Sequence, residues 1–445
     1  MKRRAIIIFL ILALIATFSL LLLACDKDSG DDYNSDDDYK VAYELSEDES
    51  YYTIIGYAYV TGRVVLPSQY KGKPVKEIDA SAFASCRTLT SIKIPDSVIS
   101  IGRSAFSSCY NLKAIEMSNN VTSISERAFV SCSKLTSIEI PSSVTSIGVK
   151  AFEGCSSLTS VEIPSSVTSI DEYAFDGCSS LESLTLNSNS TSIGKFAFRE
   201  CNSLTSIDIS GSGASIGEFA FYKCSGLTSL DMHNSVTNID VYAFSGCSSL
   251  ESLTFTSNST SIGKSAFQEC SSLTSIDISG SGASIGEWAF YKCSSLTSVD
   301  MHNSVTSIGN SAFSGCSSLT SIEIPSSVTS IDSYAFSGCS SLTSIDIPSS
   351  VTSIGVNAFY NCSSLTSIEI PSSVTSIGYS AFEGCSSLTS IEILSSVTSI
   401  GYNAFRGCSS LTIYCEAESK PSGWDYYWNN DDRPVIWGHK SSGGQ

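Results

Sequence analysis

Histidine is nearly absent, with three in 445 residues. So few imidazoles leave little material for acid–base catalysis or for histidine-based metal ligation. Cations are scarce as well. Twenty-five Lys and Arg stand against 44 Asp and Glu, a formal net charge of −19. Such a surface repels nucleic acid and anionic headgroups and favours cations or basic partners. The 17 cysteines include no Cys-x-x-Cys pair, so the usual zinc and redox spacings are missing. No phosphate-cradling glycine loop and no nucleophile–base arrangement stands out. These absences predict a chain that is not an enzyme, with no cofactor, no metal site and no nucleic-acid partner.

Long apolar runs are missing except for one. Lys2, Arg3 and Arg4 precede Ala5–Ala24, which is almost wholly apolar and ends in Leu22-Leu23-Ala24-Cys25. A basic start, an apolar stretch and a small residue before cysteine read as an export signal. The last four residues resemble a bacterial lipobox. That resemblance implies cleavage before Cys25 and acylation of its thiol, hence a membrane contact through lipid. An uncleaved anchor helix and simple secretion are the competing readings. Residues 1–24 are therefore expected to be a lipoprotein signal peptide. Their removal takes three bases and no acid, leaving −22. Residues 25–40, with seven aspartates between Asp26 and Lys40, form no core and read as an acidic, flexible tether.

What the chain has in abundance is repetition. Fifteen cysteines, from Cys86 and Cys109 to Cys385 and Cys408, lie 23 residues apart without a slip. A phenylalanine precedes each by three, from Phe83 to Phe405. One unit carries Leu319, Ile322 and Ile324, then Pro325, Val328, Ile331, Ala335-Phe336 and Gly338. Leu-x-x-Ile-x-Ile ends in strand alternation, and Pro325 stops it. Val328 and Ile331 return to the interior, and Ala335-Phe336 makes a second inward corner read as a short helical turn. No unit encloses a core alone, so the units must stack. Leu181–Ser249 and Leu250–Ser318 are near-copies 69 residues apart, so length changes by whole units.

These residues resemble the leucine-rich repeats of BspA-like (Treponema-type) bacterial surface proteins. The resemblance covers roughly residues 52–437. It implies a repeat solenoid, a right-handed superhelix of about 15 coils of 23 residues. A parallel β-sheet would line the concave face, with turns or helical turns opposite. Residues 41–85 are expected to be an N-terminal cap and an irregular first repeat, with five extra residues around Tyr70–Pro74. Residues 86–412 are the tandem repeats, and residues 413–445 a tryptophan-rich cap and tail.

Stacking turns each position of the repeat into a column with steps near ~4.8 Å. The phenylalanine column reads as an aromatic spine. The cysteine column reads as buried free thiols filling a tight turn. Disulfides and zinc compete with that reading, but parallel stacked side chains miss the disulfide dihedral. Serine and threonine read as a hydrated, strand-compatible surface. Tyr173, Phe196, Phe219, Tyr242, Trp288 and Tyr334 make a broken second aromatic stripe, either half-buried flank or interface anchors.

The outward position between the two strand isoleucines is the candidate binding surface. From Glu116 it reads Glu116, Glu139, Glu162, Thr185, Asp208, Asp231, Thr254, Asp277, Asp300, Glu323, Asp346, Glu369 and Glu392, eleven acids in thirteen. Adjacent carboxylates about 5 Å apart repel by ~1 kcal/mol even in water. Two readings stand. Like charges keep the sheet soluble and unaggregated, or they recruit a basic protein segment or divalent cations. The expected function is a lipid-anchored, monomeric, adhesin-like protein at the cell surface. The family resemblance implies a protein ligand such as a host extracellular-matrix protein or another bacterial surface. The alternative is a periplasmic or envelope scaffold that binds an endogenous partner.

Overall fold

A computed structural model describes residues 39–440, apart from 188–190, 210–214, 233–235, 237, 256–260, 279–283 and 302–304. The signal segment, Cys25 and most of the tether lie outside the described residues. From Tyr39 the chain winds into a β-solenoid of about 16 turns of roughly 23 residues. It starts with an antiparallel hairpin of β1 (Tyr39–Leu45) and β2 (Tyr52–Val60). Next come β3 (Gly62–Val65), β4 (Gln69–Tyr70) and β5 (Lys73–Ile78), and β2 pairs in parallel with β5. The five extra residues fold as a tight hairpin of β4 on β5. Lys71 and Gly72 both take positive φ at its tip (47° and 78°), as a two-residue hairpin loop requires.

Each later coil has three sides. The first is the Leu-x-x-Ile-x-Ile strand. Ser160–Ile163 buries Val161 and Ile163 and exposes Ser160 and Glu162, the two-residue alternation of a strand with one wet face. It pairs in parallel with the next coil, Val161 opposite Leu184 and Ile163 opposite Leu186. Eleven such strands run in sequence from β3 to Ser298–Asp300. Where proline follows the strand, its carbonyl accepts the valine N–H three residues on, as in Val328 N to Pro325 O at 3.0 Å.

The second side is a ladder that the sequence reading lacked. The Ile of Val-x-x-Ile, taken as a mere return to the interior, forms a two-residue parallel strand with the residue before it. Ser146-Ile147 pairs with Ser123-Ile124 on one side and Ser169-Ile170 on the other. Nine of these strands form a continuous sheet up to Ser307–Ile308. Beyond both long sheets the ladders go on through single bridges, Glu323 to Asp346 and Ile331 to Ile354, into three-stranded pieces.

The third side corrects the expected helical turn. Among the described residues there is no helix. At Ala-Phe, alternate N–H groups point in different directions. Those of Ser104, Phe106 and Ser108 donate to Glu126, Ala128 and Val130 of the next coil. Those of Ala105, Ser107 and Cys109 close turns within the coil. The alternation needs two left-handed residues per coil, here Ser104 (φ 57°) and Ser108 (φ 60°). Gly338 fills the second such position without strain (φ 74°). Every side of the coil is thus hydrogen-bonded to its neighbours.

The core inside is one continuous cluster. Phe83 to Phe405 form a stacked spine with ring centroids 4.9–5.7 Å apart. Tyr57 extends it at the start, stacked on Phe83 at 5.9 Å. At the other end Trp428 meets Phe405 edge-on at 5.9 Å, and Trp424 donates its indole N–H to Val397 O at 3.0 Å. The fifteen column cysteines and Cys415 are all buried and unbridged. They do more than fill space. From Cys109 to Cys408 each Sγ lies 3.1–3.4 Å from the carbonyl of the phenylalanine 26 residues earlier, as in Cys109 to Phe83 and Cys247 to Phe221. The thiol is small enough for the corner and still satisfies a buried acceptor.

Candidate binding surface

The acidic column sits on the outer face of the first ladder, as strand alternation dictates. Backbone pairing sets Asp208 beside Asp231, Asp277 beside Asp300 and Glu323 beside Asp346. Thr185 is paired between Glu162 and Asp208, and Thr254 between Asp231 and Asp277, so both break the series. Glu139, Glu162, Asp300, Asp346 and Glu369 are exposed, and Asp277 and Glu392 half-buried.

The face is hollowed where the column is densest. A cleft of about 790 Å³ is lined by Thr254, Asp277, Asp300, Met301 and Glu323 among others. A second, of about 320 Å³, continues it over Glu323, Ile345, Asp346 and Pro348. Both share Ser321, Ile322 and Glu323, so the hollow follows the solenoid axis across several coils. Strand residues such as Ser275, Ile276, Ser298 and Val299 also line it, and its charge is carboxylate.

The two ends of the column differ from its middle. Lys93 Nζ bonds Glu116 at 2.8 Å, and Arg63 approaches the same carboxylate at 3.8 Å. That hydrogen bond, with the charge behind it, holds the Glu116 carboxyl below the usual carboxylate range. At the far end His439 Nε2 lies 3.9 Å from Glu392 and its ring rests 4.9 Å from Tyr414. Between them, the column positions from Glu139 to Glu369 hold only acids and threonine. Among the described residues no group of three His, Cys, Asp or Glu converges as metal ligands, and no helix is long and apolar enough to cross a membrane.

The threonines beside the column were read as hydrated surface, yet their hydroxyls are structural. Thr136, Thr159, Thr343 and Thr366 each donate to the carbonyl one coil back, at 3.1–3.2 Å. Thr145, Thr168 and Thr375 do the same on the second side. Only the period would have given this away, since a side chain repeated every coil always finds the same backbone atom beneath it. The flank aromatics are half-buried in the main. Tyr173, Phe196, Phe219 and Tyr242 stack at 4.7–4.8 Å, while Tyr334 is exposed.

Against known proteins, the profile of the BspA type leucine rich repeat region, in six copies, matches residues 68–182, 168–297 and 283–412. Among curated proteins none matches. A leucine-rich repeat protein from Bacteroides ovatus is 30% identical, with 87% of this chain and all of that one covered and a TM-score of 0.73. A leucine rich cell surface protein from Faecalibacterium prausnitzii is 28% identical over 91% of this chain and 98% of its own, with a TM-score of 0.43. A leucine-rich repeat protein of T. pallidum is 28% identical over 49% of this chain and 91% of its own, with a TM-score of 0.37.

Proposed function

We propose that this chain, which belongs to the BspA-type leucine-rich repeat family, is a lipid-anchored binding protein of the bacterial envelope that holds a basic protein segment along its strand face. The observation that carries the reading is the in-register carboxylate column from Asp277 to Asp346, lying in a cleft that follows the solenoid axis. A leucine-rich repeat solenoid suits protein–protein binding, because stacked strands present one long continuous face. Among the described residues no group of metal-ligating side chains converges, which favours a peptide cation over a bound metal. Lipid at Cys25 and the acidic tether would hold the solenoid off the membrane. The adhesin-like role follows from that placement at the outer surface.

Two measurements test it. Purified full chain is offered to extracellular-matrix proteins and to co-resident bacteria at low and high salt. Capture should fall steeply with salt, and should be lost when Asp277, Asp300 and Glu323 become Asn, Asn and Gln. Capture that survives both changes refutes the strand-face reading. Protease shaving of intact cells tests the placement. Cleavage of the solenoid supports an outward-facing adhesin, and protection supports the periplasmic scaffold. Replacing Cys25 with Ala should release the chain from the membrane fraction.

A further inference from the structure

We propose that the C-terminal flank carries a second docking site, for an extended proline-rich polypeptide. It is built from four tyrosines on the turn side, away from the acidic column. Tyr379 and Tyr402 follow the Ile-Gly pair in successive coils. Tyr427 continues their column into the cap, because its carbonyl accepts from Asn403 N as the Tyr402 carbonyl accepts from Ser380 N. Tyr379 and Tyr402 stack at 5.3 Å and 20°. Tyr402 and Tyr427 then meet at 77°, and Tyr427 and Tyr426 at 85° with centroids 4.7 Å apart. The turned planes leave ridges and notches in place of a flat stack. Tyr426 is 80% exposed, Tyr427 51% and Tyr379 46%.

The fold does not require these rings. Earlier coils fill the same column without an aromatic ring, with charged residues such as Glu172, Lys195, Glu218, Lys264 and Glu287 and with Val149, Val241 and Val356. Contiguous exposed rings on such a scaffold mark an interaction surface.

The ring faces and their hydroxyls together suit the ligand. None of the four tyrosine hydroxyls has a hydrogen-bond partner among the described residues, so each offers a donor at the patch. Some neighbouring polar groups are engaged within the cap. Asp425 takes the Tyr427 N–H, Asn403 Oδ1 takes Asn430 Nδ2, and Asp431 takes Gly407 N–H and Arg433. A ligand with apolar rings and unpaired carbonyl acceptors uses both the ring faces and these donors. A proline-rich chain does so: its tertiary amides lack N–H, and the polyproline II form leaves every carbonyl unpaired. Such segments dock on aromatic-lined surfaces.

The test is fluorescence anisotropy with labelled decaproline and the full chain in detergent. Binding should be saturable and nearly unchanged between low and high salt, unlike capture on the strand face. Tyr426→Ala with Tyr427→Ala should weaken it by roughly tenfold or more. Tyr427→Phe, which keeps the ring and loses the donor, should weaken it a few-fold. Tyr59→Ala, an exposed tyrosine at the other end, should leave it unchanged. Both sites of substitution are solvent-facing, and an unchanged melting curve verifies the fold. The proposal is overturned if decaproline does not saturate, if the double variant binds as well as the native chain, or if maltoheptaose binds at the tyrosines in its place. Salt-sensitive capture on the carboxylates would survive any of these results.

Discussion

Raising the pH should unfold this protein far more sharply than its surface charge suggests. The cause is the thiol column. Burial pushes the Cys293 and Cys339 thiols up to about 12 from an ordinary value of 9.0. Burial likewise holds Cys155, Cys201, Cys247, Cys270, Cys316, Cys362 and Cys385 well above that value. A thiol is neutral when protonated, so the folded state keeps its protons while the unfolded chain sheds them above pH 9. The unfolded state then binds fewer protons, and stability falls as pH rises. Below pH 9 the contribution is fully present, and for Cys293 and Cys339 it is lost progressively between about 9 and 12. At pH 10 each such thiol removes about 1.4 kcal/mol. The losses from the column add within one cooperative block, against a whole domain's stability of about 5–15 kcal/mol. Urea titrations under reductant at pH 7, 8, 9 and 10 read this directly. The midpoint should be nearly flat to pH 8 and collapse by pH 10. Replacing Cys247, Cys270 and Cys293 with Ala should lessen the slope. A midpoint that is level from pH 7 to 10, or a slope indifferent to the triple substitution, refutes the argument.

Other consequences are open to direct measurement. Phe244 is fully buried between Phe221 at 5.1 Å and Phe267 at 5.3 Å, and bonded coils cannot collapse onto the gap. Phe244→Ala should cost about 3–5 kcal/mol and split the unfolding into two blocks, seen as a second urea transition and local hydrogen exchange. A Cβ on Gly286 would sit 2.7 Å from Gly263 C and Ile262 O, so Gly286→Ala should destabilise by about 1–3 kcal/mol, read from the melting temperature. Maleimide should label none of the sixteen described thiols in the native chain and all of them after denaturation without reductant. Labelling rates should follow global unfolding.

Much of this fold was legible because its inward columns are nearly uniform. Phenylalanine, cysteine and the strand isoleucines recur at one period, and a residue buried in one coil is buried in the next. Two sides of the coil were harder to read. The second ladder uses strands of two residues, such as Ser146–Ile147, too short for a period of two to show. The third side depends on left-handed residues that are often bulky. Tyr173 (φ 58°) and Trp288 (φ 57°) carry none of the glycine or asparagine signal by which such positions are usually found. There the hydrogen bonds to the next coil impose the conformation, and local preference yields. The outward carboxylates could be placed from alternation alone. The cleft beside them could not, since curvature belongs to the stack and no single repeat encodes it.

Charge order separates the strand face from the flank. On the flank, three pairs of neighbouring coils carry opposite charges and make stacked ion pairs: Arg103 with Glu126 at 2.9 Å, Lys195 with Glu218 at 2.6 Å and Lys264 with Glu287 at 2.8 Å. Asp176 and Arg199 add a two-pronged pair at 2.7 and 2.8 Å. The array therefore accepts either sign at a 23-residue spacing, and the alternating choice is the more stable one. Along the first ladder the same spacing carries acid after acid, each neighbour costing ~1 kcal/mol at about 5 Å even with full water screening. Solubility alone would be served as well by mixed charge, and the flank shows that mixed charge is available to this sequence. A repulsive column maintained on a hollowed face is what the proposed basic partner would neutralise.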